Sequence, residues 1–183
     1  AAKFFGAAMA DAMRACESAT RPLVMAIEGA CYGASVALAL CADMRIAADS
    51  AVFAITPAKL GAVYLQSDIH RLVRAIGAGQ SHRMIFLAEP IDADEAVKIG
   101  LIQKVVPAGQ FETHVDRMID AIAKGSPFTL IQTKDMVRYG ALAKTPRETN
   151  ATLALFVAAT QGDDFGEGVQ AFLDKRSPVF GSR

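Results

Sequence analysis

The stretch Arg21-Pro22-Leu23-Val24-Met25-Ala26-Ile27-Glu28-Gly29, with Gly33-Ala34-Ser35 just beyond it, decides how the chain folds. Leu23 to Ile27 is an unbroken apolar run closed by Glu28-Gly29, the pattern of a short strand buried on both faces of a layered, parallel sheet. From Gly33 to Ala42 every residue except Ser35 is apolar, so a helix there has no polar face for solvent and must be buried, its start included. Strand, turn and small-residue helix start together aim unpaired backbone N–H groups and the positive end of a helix dipole at one point, where an anion can rest. The N–H of Ala34 is the candidate donor. The same small residues also suit a helix start packed tightly against its strand, and spacing leaves both readings open.

Working outward, Phe4 to Ala19 is rich in Ala and Met and predicts a helix that Thr20-Arg21-Pro22 interrupts. Downstream, Met44 to Ala48 and Ala51 to Ile55 predict two more short strands, and Pro57, Gly61 and the segment Ala62 to Asp68 predict a loop. From Ile69 the pattern is mainly helical, punctuated by Gly77, Gly79, Pro90, Gly100 and Pro107. Phe111, Val115, Met118, Ile119 and Ile122 fall on one helical stripe that Gly125 and Pro127 end, and Phe165, Val169, Phe172 and Leu173 stripe the last helix.

The 183 residues suffice for one substantial core, and no internal repeat marks a solenoid. The 19 basic residues balance the 19 acidic ones, which leaves no global field to draw nucleic acid. Cys16, Cys31 and Cys41 form neither an even disulfide framework nor a CxxC pair, which reads as reduced core thiols in a cytoplasmic setting. No apolar run reaches the roughly 18 residues a membrane crossing requires, and the first residues lack the pattern of a signal peptide. There is no GxxxxGK[ST] loop, and Gly77-Ala78-Gly79 lacks the third glycine and preceding strand of a dinucleotide fingerprint. His70, His82 and His114 are scattered, so a metal site is not expected. The chain opens Ala1-Ala2-Lys3-Phe4 and enters directly into a helical pattern, which reads as part of something longer.

Arg21 to Gly29 through Gly33-Ala34-Ser35 to Cys41-Ala42-Asp43 resembles the signature of the crotonase, or enoyl-CoA hydratase/isomerase, family, written K-P-(apolar)-A-(apolar)-N-G followed by G-G. The likeness runs on in order through Phe53 to Gly61, His70-Arg71-Leu72, Ala93 to Val106 and, at the end, Glu167-Gly168, Phe172 and Lys175-Arg176-Ser177-Pro178-Val179-Phe180. The resemblance implies an α/β fold, a crotonase-like spiral of ββα units over residues 1–106 with a helical oligomerisation region over 107–183. It further implies homotrimers or hexamers and enolate chemistry on acyl-CoA thioesters, with coenzyme A carried as part of the substrate and no separate cofactor. In the family two backbone N–H groups bind the thioester oxygen; the second falls on Ala34, and the first comes from a loop upstream of this chain. Lys175 and Phe180 occupy positions that in some relatives reach the coenzyme A nucleotide of a neighbouring subunit, as a cation for phosphate and a ring for stacking; a solvated tail is the other reading.

Hydration of an enoyl thioester calls for a positioned acid and base, in this family commonly two glutamates, and the matching positions here are Ala37 and Pro57. Neither transfers a proton. Asp43 and Asp49 are expected to act as local backbone acceptors, which leaves Asp68 as the carboxylate base of a hydratase or isomerase. Tyr64 offers a different chemistry. The segment Thr56 to Tyr64 with Ile69-His70 is similar to methylmalonyl-CoA-decarboxylating members of the family, which place a tyrosine at this position in the active site. Decarboxylation needs no base to make the enolate, and a pocket without carboxylates does not repel a substrate carboxylate. A third reading is a catalytically silent acyl-CoA binder.

Overall fold

The structure, a computed structural model, describes residues 2–142 and 149–181. They divide into two compact units: Ala1–Ala19 with Leu23–Val115, and Thr20–Pro22 with Asp116–Arg183.

In the first unit the helix α1 (Ala2–Ser18) precedes β1 (Val24–Ile27), β2 (Ala30–Tyr32) and α2 (Ala34–Ala39). Then come β3 (Met44–Ala48), β4 (Val52–Ala54), the one-turn helix α3 (Pro57–Leu60) and α4 (Gln66–Leu87). β5 (Ile91–Asp92), α5 (Ala93–Lys98) and β6 (Lys104–Val106) follow. The strands form two three-stranded sheets in the orders β1-β3-β6 and β2-β4-β5. Each successive pair of strands gives one member to each sheet, so the chain winds as a spiral. The pairs β1·β3, β3·β6 and β2·β4 are parallel and β4·β5 is antiparallel.

Between the sheets and helices lies one core of Ile27, Val36, Phe53, Ile55, Leu72, Met84, Ile91, Leu101 and Ile102. Fully burying side chains of this size contributes about 1.5–3 kcal/mol each before entropy is counted. Arg45 enters this core as a cation, and its Nε and Nη1 donate to the Leu101 and Ala42 carbonyls at 2.6 and 3.1 Å. Burial lowers its pKa from the usual arginine range.

Four expectations need correction. β1 is not buried on both faces: it is an edge strand paired only with β3 among the described residues, and Ala26 is exposed. α2 is shorter than Gly33 to Ala42, and its start is at the surface, with Ala34 and Ser35 exposed. Pro57 begins a helical turn, as its fixed φ allows at a first helical position, and Gly61 closes that turn at φ 63°. Asp68 lies in the first turn of α4 and not in a loop. Gly77, at φ 74°, interrupts α4 where the sequence placed a break.

The second unit holds most of α6 (Phe111–Ala123), α7 (Pro127–Leu142), α8 (Asn150–Gln161) and α9 (Asp163–Leu173). The α9 stripe is largely solvent-facing, with Phe172 82% and Leu173 67% exposed. Lys134 is nearly buried and its Nζ donates to the Arg21 carbonyl at 2.7 Å, which ties the Thr20–Pro22 link to α7. No helix of the described residues is long and apolar enough to cross a membrane.

Candidate active site

The spiral itself brings the candidate residues together. β2 and β4 pair in parallel with Tyr32 beside Ala54, and the Gly33 N–H donates to the Ala54 carbonyl at 2.9 Å. The residue that opens α2 is thereby fastened to the end of β4, so the segment leaving β4 runs past the start of α2. Gly33 holds φ 58° and ψ −115°, a conformation that only glycine adopts readily. The first intrahelical bonds are those from the Val36 and Ala37 N–H groups to the Gly33 carbonyl. The N–H groups of Ala34 and Ser35 precede that ladder and point out of the helix start.

Tyr64 comes back over this point. Its hydroxyl oxygen lies 3.5 Å from where a Cβ on Gly33 would stand. The oxygen is buried and has no hydrogen-bond partner among the described residues. An unpaired buried hydroxyl costs about 1–3 kcal/mol. Burial pushes its pKa up to about 12, with smaller contributions from Asp68 and Cys31, so the phenol keeps its proton and remains a donor.

Asp68 is buried, and its Oδ1 accepts from Arg71 Nη1 at 2.8 Å. Arg71 in turn donates from Nε and Nη2 to both oxygens of Glu17 on α1, at 2.6 and 3.0 Å. One guanidinium thus joins carboxylates from two helices. The sequence flagged Arg71 only as part of a motif and did not flag Glu17 at all, because nothing local pairs residues 54 positions apart.

Ala37 and Pro57 are both buried and apolar. Asp43 accepts from the Leu23 N–H at 2.7 Å and Asp49 from the Ala108 N–H at 3.0 Å, so both are backbone acceptors, though across the fold and not locally. His70 is exposed. Burial raises the Cys31 and Cys41 thiols to about 11, which keeps them protonated and unreactive.

Lys175 and Phe180 lie in the second unit. Lys175 is exposed and turns the chain at φ 54° just past α9. The Phe180 ring packs over Gly168, 3.9 Å from where its Cβ would stand, and lines an apolar groove of ≈ 790 Å³ with Phe128, Ile131, Val169 and Phe172. Glu167 fastens this tail: it accepts from Arg176 Nη1 and Nη2 at 2.6 and 2.9 Å and from the Val179 N–H at 2.8 Å. Arg176 and the Val179 N–H hold its carboxyl down to about 2.

Compared with known proteins, residues 2–183 match the family model described as enoyl-CoA hydratase/isomerase. The chain is 30% identical over 162 residues to methylmalonyl-CoA decarboxylase of Escherichia coli, covering 87% of this chain and 62% of that protein. It is 30% identical over 182 residues to crotonyl-CoA hydratase of Syntrophomonas wolfei, covering 100% of this chain and 70% of the relative. Among solved structures, an enoyl-CoA hydratase/isomerase family protein from Hyphomonas neptunium superposes with TM-score 0.90 at 38% identity, over 100% of this chain and 69% of that one. The spiral of strand pairs and helices is therefore the crotonase fold, and the chain belongs to the enoyl-CoA hydratase/isomerase family. It spans 62% to 70% of the length of these relatives.

Proposed function

We propose that the protein is an acyl-CoA lyase that removes carbon dioxide from a thioester carrying a carboxylate on its α-carbon. The observation that carries this reading is the Tyr64 hydroxyl, buried without a partner beside Gly33 at the start of α2. In this scheme the thioester oxygen sits on the Ala34 N–H, with a second donor supplied from upstream as in the family. The bond from the α-carbon to the carboxylate breaks and its electron pair passes into the thioester as an enolate. The N–H donors stabilise that oxyanion, usually the largest single contribution in such chemistry. Tyr64 orients the departing carboxylate through its O–H and then delivers a proton to the α-carbon, regaining one from solvent. The apolar Ala37 and Pro57 leave no carboxylate there to repel the substrate.

Coenzyme A enters only as part of the substrate. Lys175 and Phe180 are proposed to meet its nucleotide end across a subunit boundary in a homotrimer or hexamer.

The second reading, a hydratase or isomerase with Asp68 as base, is favoured by the likeness to crotonyl-CoA hydratase. The Arg71 guanidinium on Asp68 weighs against it, because Arg71 Nη1 already occupies Oδ1 of that carboxylate at 2.8 Å. Parallel assays of Tyr64→Phe and Asp68→Asn separate the two. Loss of turnover in the first with retention in the second supports the lyase, and the opposite pattern supports the hydratase.

A further inference from the structure

The geometry points to Arg71 as a positioning residue: bonded to both Glu17 and Asp68, it holds the Asp68 carboxylate off the Tyr64 hydroxyl and so keeps that hydroxyl available to a ligand. Resting on the lyase reading for its catalytic consequence, the inference goes beyond it by naming what keeps the donor unengaged.

Three observations meet here. The first turn of α4 follows Tyr64 closely, with the Asp68 and Ile69 N–H groups bonded to the Leu65 carbonyl at 3.0 and 3.2 Å, so Asp68 stands four residues beyond Tyr64, about one helical turn along the chain. A buried carboxylate within reach of a buried hydroxyl ordinarily accepts its O–H in a short charge-assisted bond, yet the Tyr64 oxygen has no partner among the described residues. What Asp68 does bond is Arg71, whose remaining donors are aligned on Glu17 in a two-bond fork at 2.6 and 3.0 Å. The fork matters because arginine is rigid and planar: fixed on Glu17 by two bonds, its third donor is presented at one place, and Asp68 is fixed with it. Asp68 still acts on Tyr64 through its charge, which helps to keep the phenol protonated. Remove the guanidinium and the carboxylate is left buried and unpaired, with the Tyr64 O–H as its neighbouring donor. The hydroxyl would then be engaged by the protein and not by the substrate.

The test is a double-mutant cycle in the complete natural chain, joined to a spectroscopic readout. Arg71→Gln is expected to lower kcat for decarboxylation by tenfold or more, the order of one hydrogen bond to a charged group, with a smaller change in KM. In a Tyr64→Phe background the same substitution should cost less than about twofold, because its effect passes through the hydroxyl. Equal losses in both backgrounds would overturn the inference while leaving the lyase reading intact. A Tyr64→Phe chain with native turnover would instead sink that reading.

Independently of activity, Tyr32 and Tyr139 are 43% and 51% exposed and can be replaced by Phe, leaving Tyr64 as the sole tyrosine of these 183 residues, and any tyrosine elsewhere in the complete chain is replaced likewise. Its Raman Fermi doublet should then shift from the pattern of an unengaged phenol to that of a strong donor on Arg71→Gln. An unchanged doublet contradicts the inference. If Arg71→Gln does not fold, Arg71→Gln/Asp68→Asn leaves only the half-exposed Glu17 without the guanidinium. Turnover within about threefold of native is the expected outcome, whereas loss there as well would mean that Arg71 merely ties α1 to α4.

Discussion

On the proposed reading, Tyr64 and Gly33 form the smallest unit on which the chemistry depends. A buried hydroxyl with no partner among the described residues is a stability cost that most proteins avoid, and it persists here beside the start of α2, where the Ala34 and Ser35 N–H groups precede the helical ladder. Tyr64→Phe removes that cost along with the donor, so the variant should be as stable as the native protein or more so, while kcat falls by roughly 10–100-fold. Calorimetry and steady-state rates on the same preparation check both halves. Gly33→Ala should lower both stability and turnover. It forces a side chain into φ 58°, costing of order 1–3 kcal/mol, and sets a methyl against the Tyr64 oxygen, which lowers the thermal midpoint as well as turnover. At this scale the sequence offered candidates where chemistry is written in a residue type: Ala34 at the helix start, Tyr64 in the loop, and alanine and proline where the family carries glutamates. It was silent on the Arg71 fork, whose three members come from two helices far apart along the chain.

Elements were legible in kind and less so in extent. Short, mainly apolar runs marked β1, β3 and β4, whereas β2, β5 and β6 were not read as strands; period and composition also do not say how many neighbours a strand has, and β1 proved to be an edge. The apolar run after Gly33 continued past the helix because Leu40 to Asp43 turns the chain toward β3 while staying largely buried. Asp92 lies two residues past Pro90, one of the breaks that the sequence marked. It caps α5 by accepting from the Glu95 N–H at 2.8 Å, so Asp92→Ala should cost about 1 kcal/mol in denaturant titrations.

The C-terminal motif gains a physical reason. Glu167 exists to bind Arg176 and the Val179 N–H, and Gly168 leaves ordinary packing distance for Phe180. Because the folded pKa of Glu167 is depressed to about 2, its contribution is present above the ordinary carboxylate range and is lost as pH falls through about 2. Protease sensitivity of the tail should therefore stay low at neutral pH and rise on acidification, and Glu167→Gln should release the tail at pH 7. A tail equally protected in the variant would remove the ion pair from the explanation.

For the molecule as a whole, the order and spacing of motifs from Pro22 to Phe180 carried the family, and each motif alone was weaker than their sequence. The groove of the second unit and the exposed stripe of α9 suit burial against other subunits, the trimer or hexamer proposed above. Sedimentation of the complete natural chain should give a mass of three or six subunits; a monomer at micromolar concentration would detach Lys175 and Phe180 from any role in a neighbour's site. The most direct measurement is mass spectrometry of the complete natural chain incubated with methylmalonyl-CoA and crotonyl-CoA together. Loss of carbon dioxide from the first, with the second unchanged, is the expected result. Addition of water to the second with the first intact would make Asp68 the residue to study, and no change in either would make the protein a silent binder and contradict the lyase.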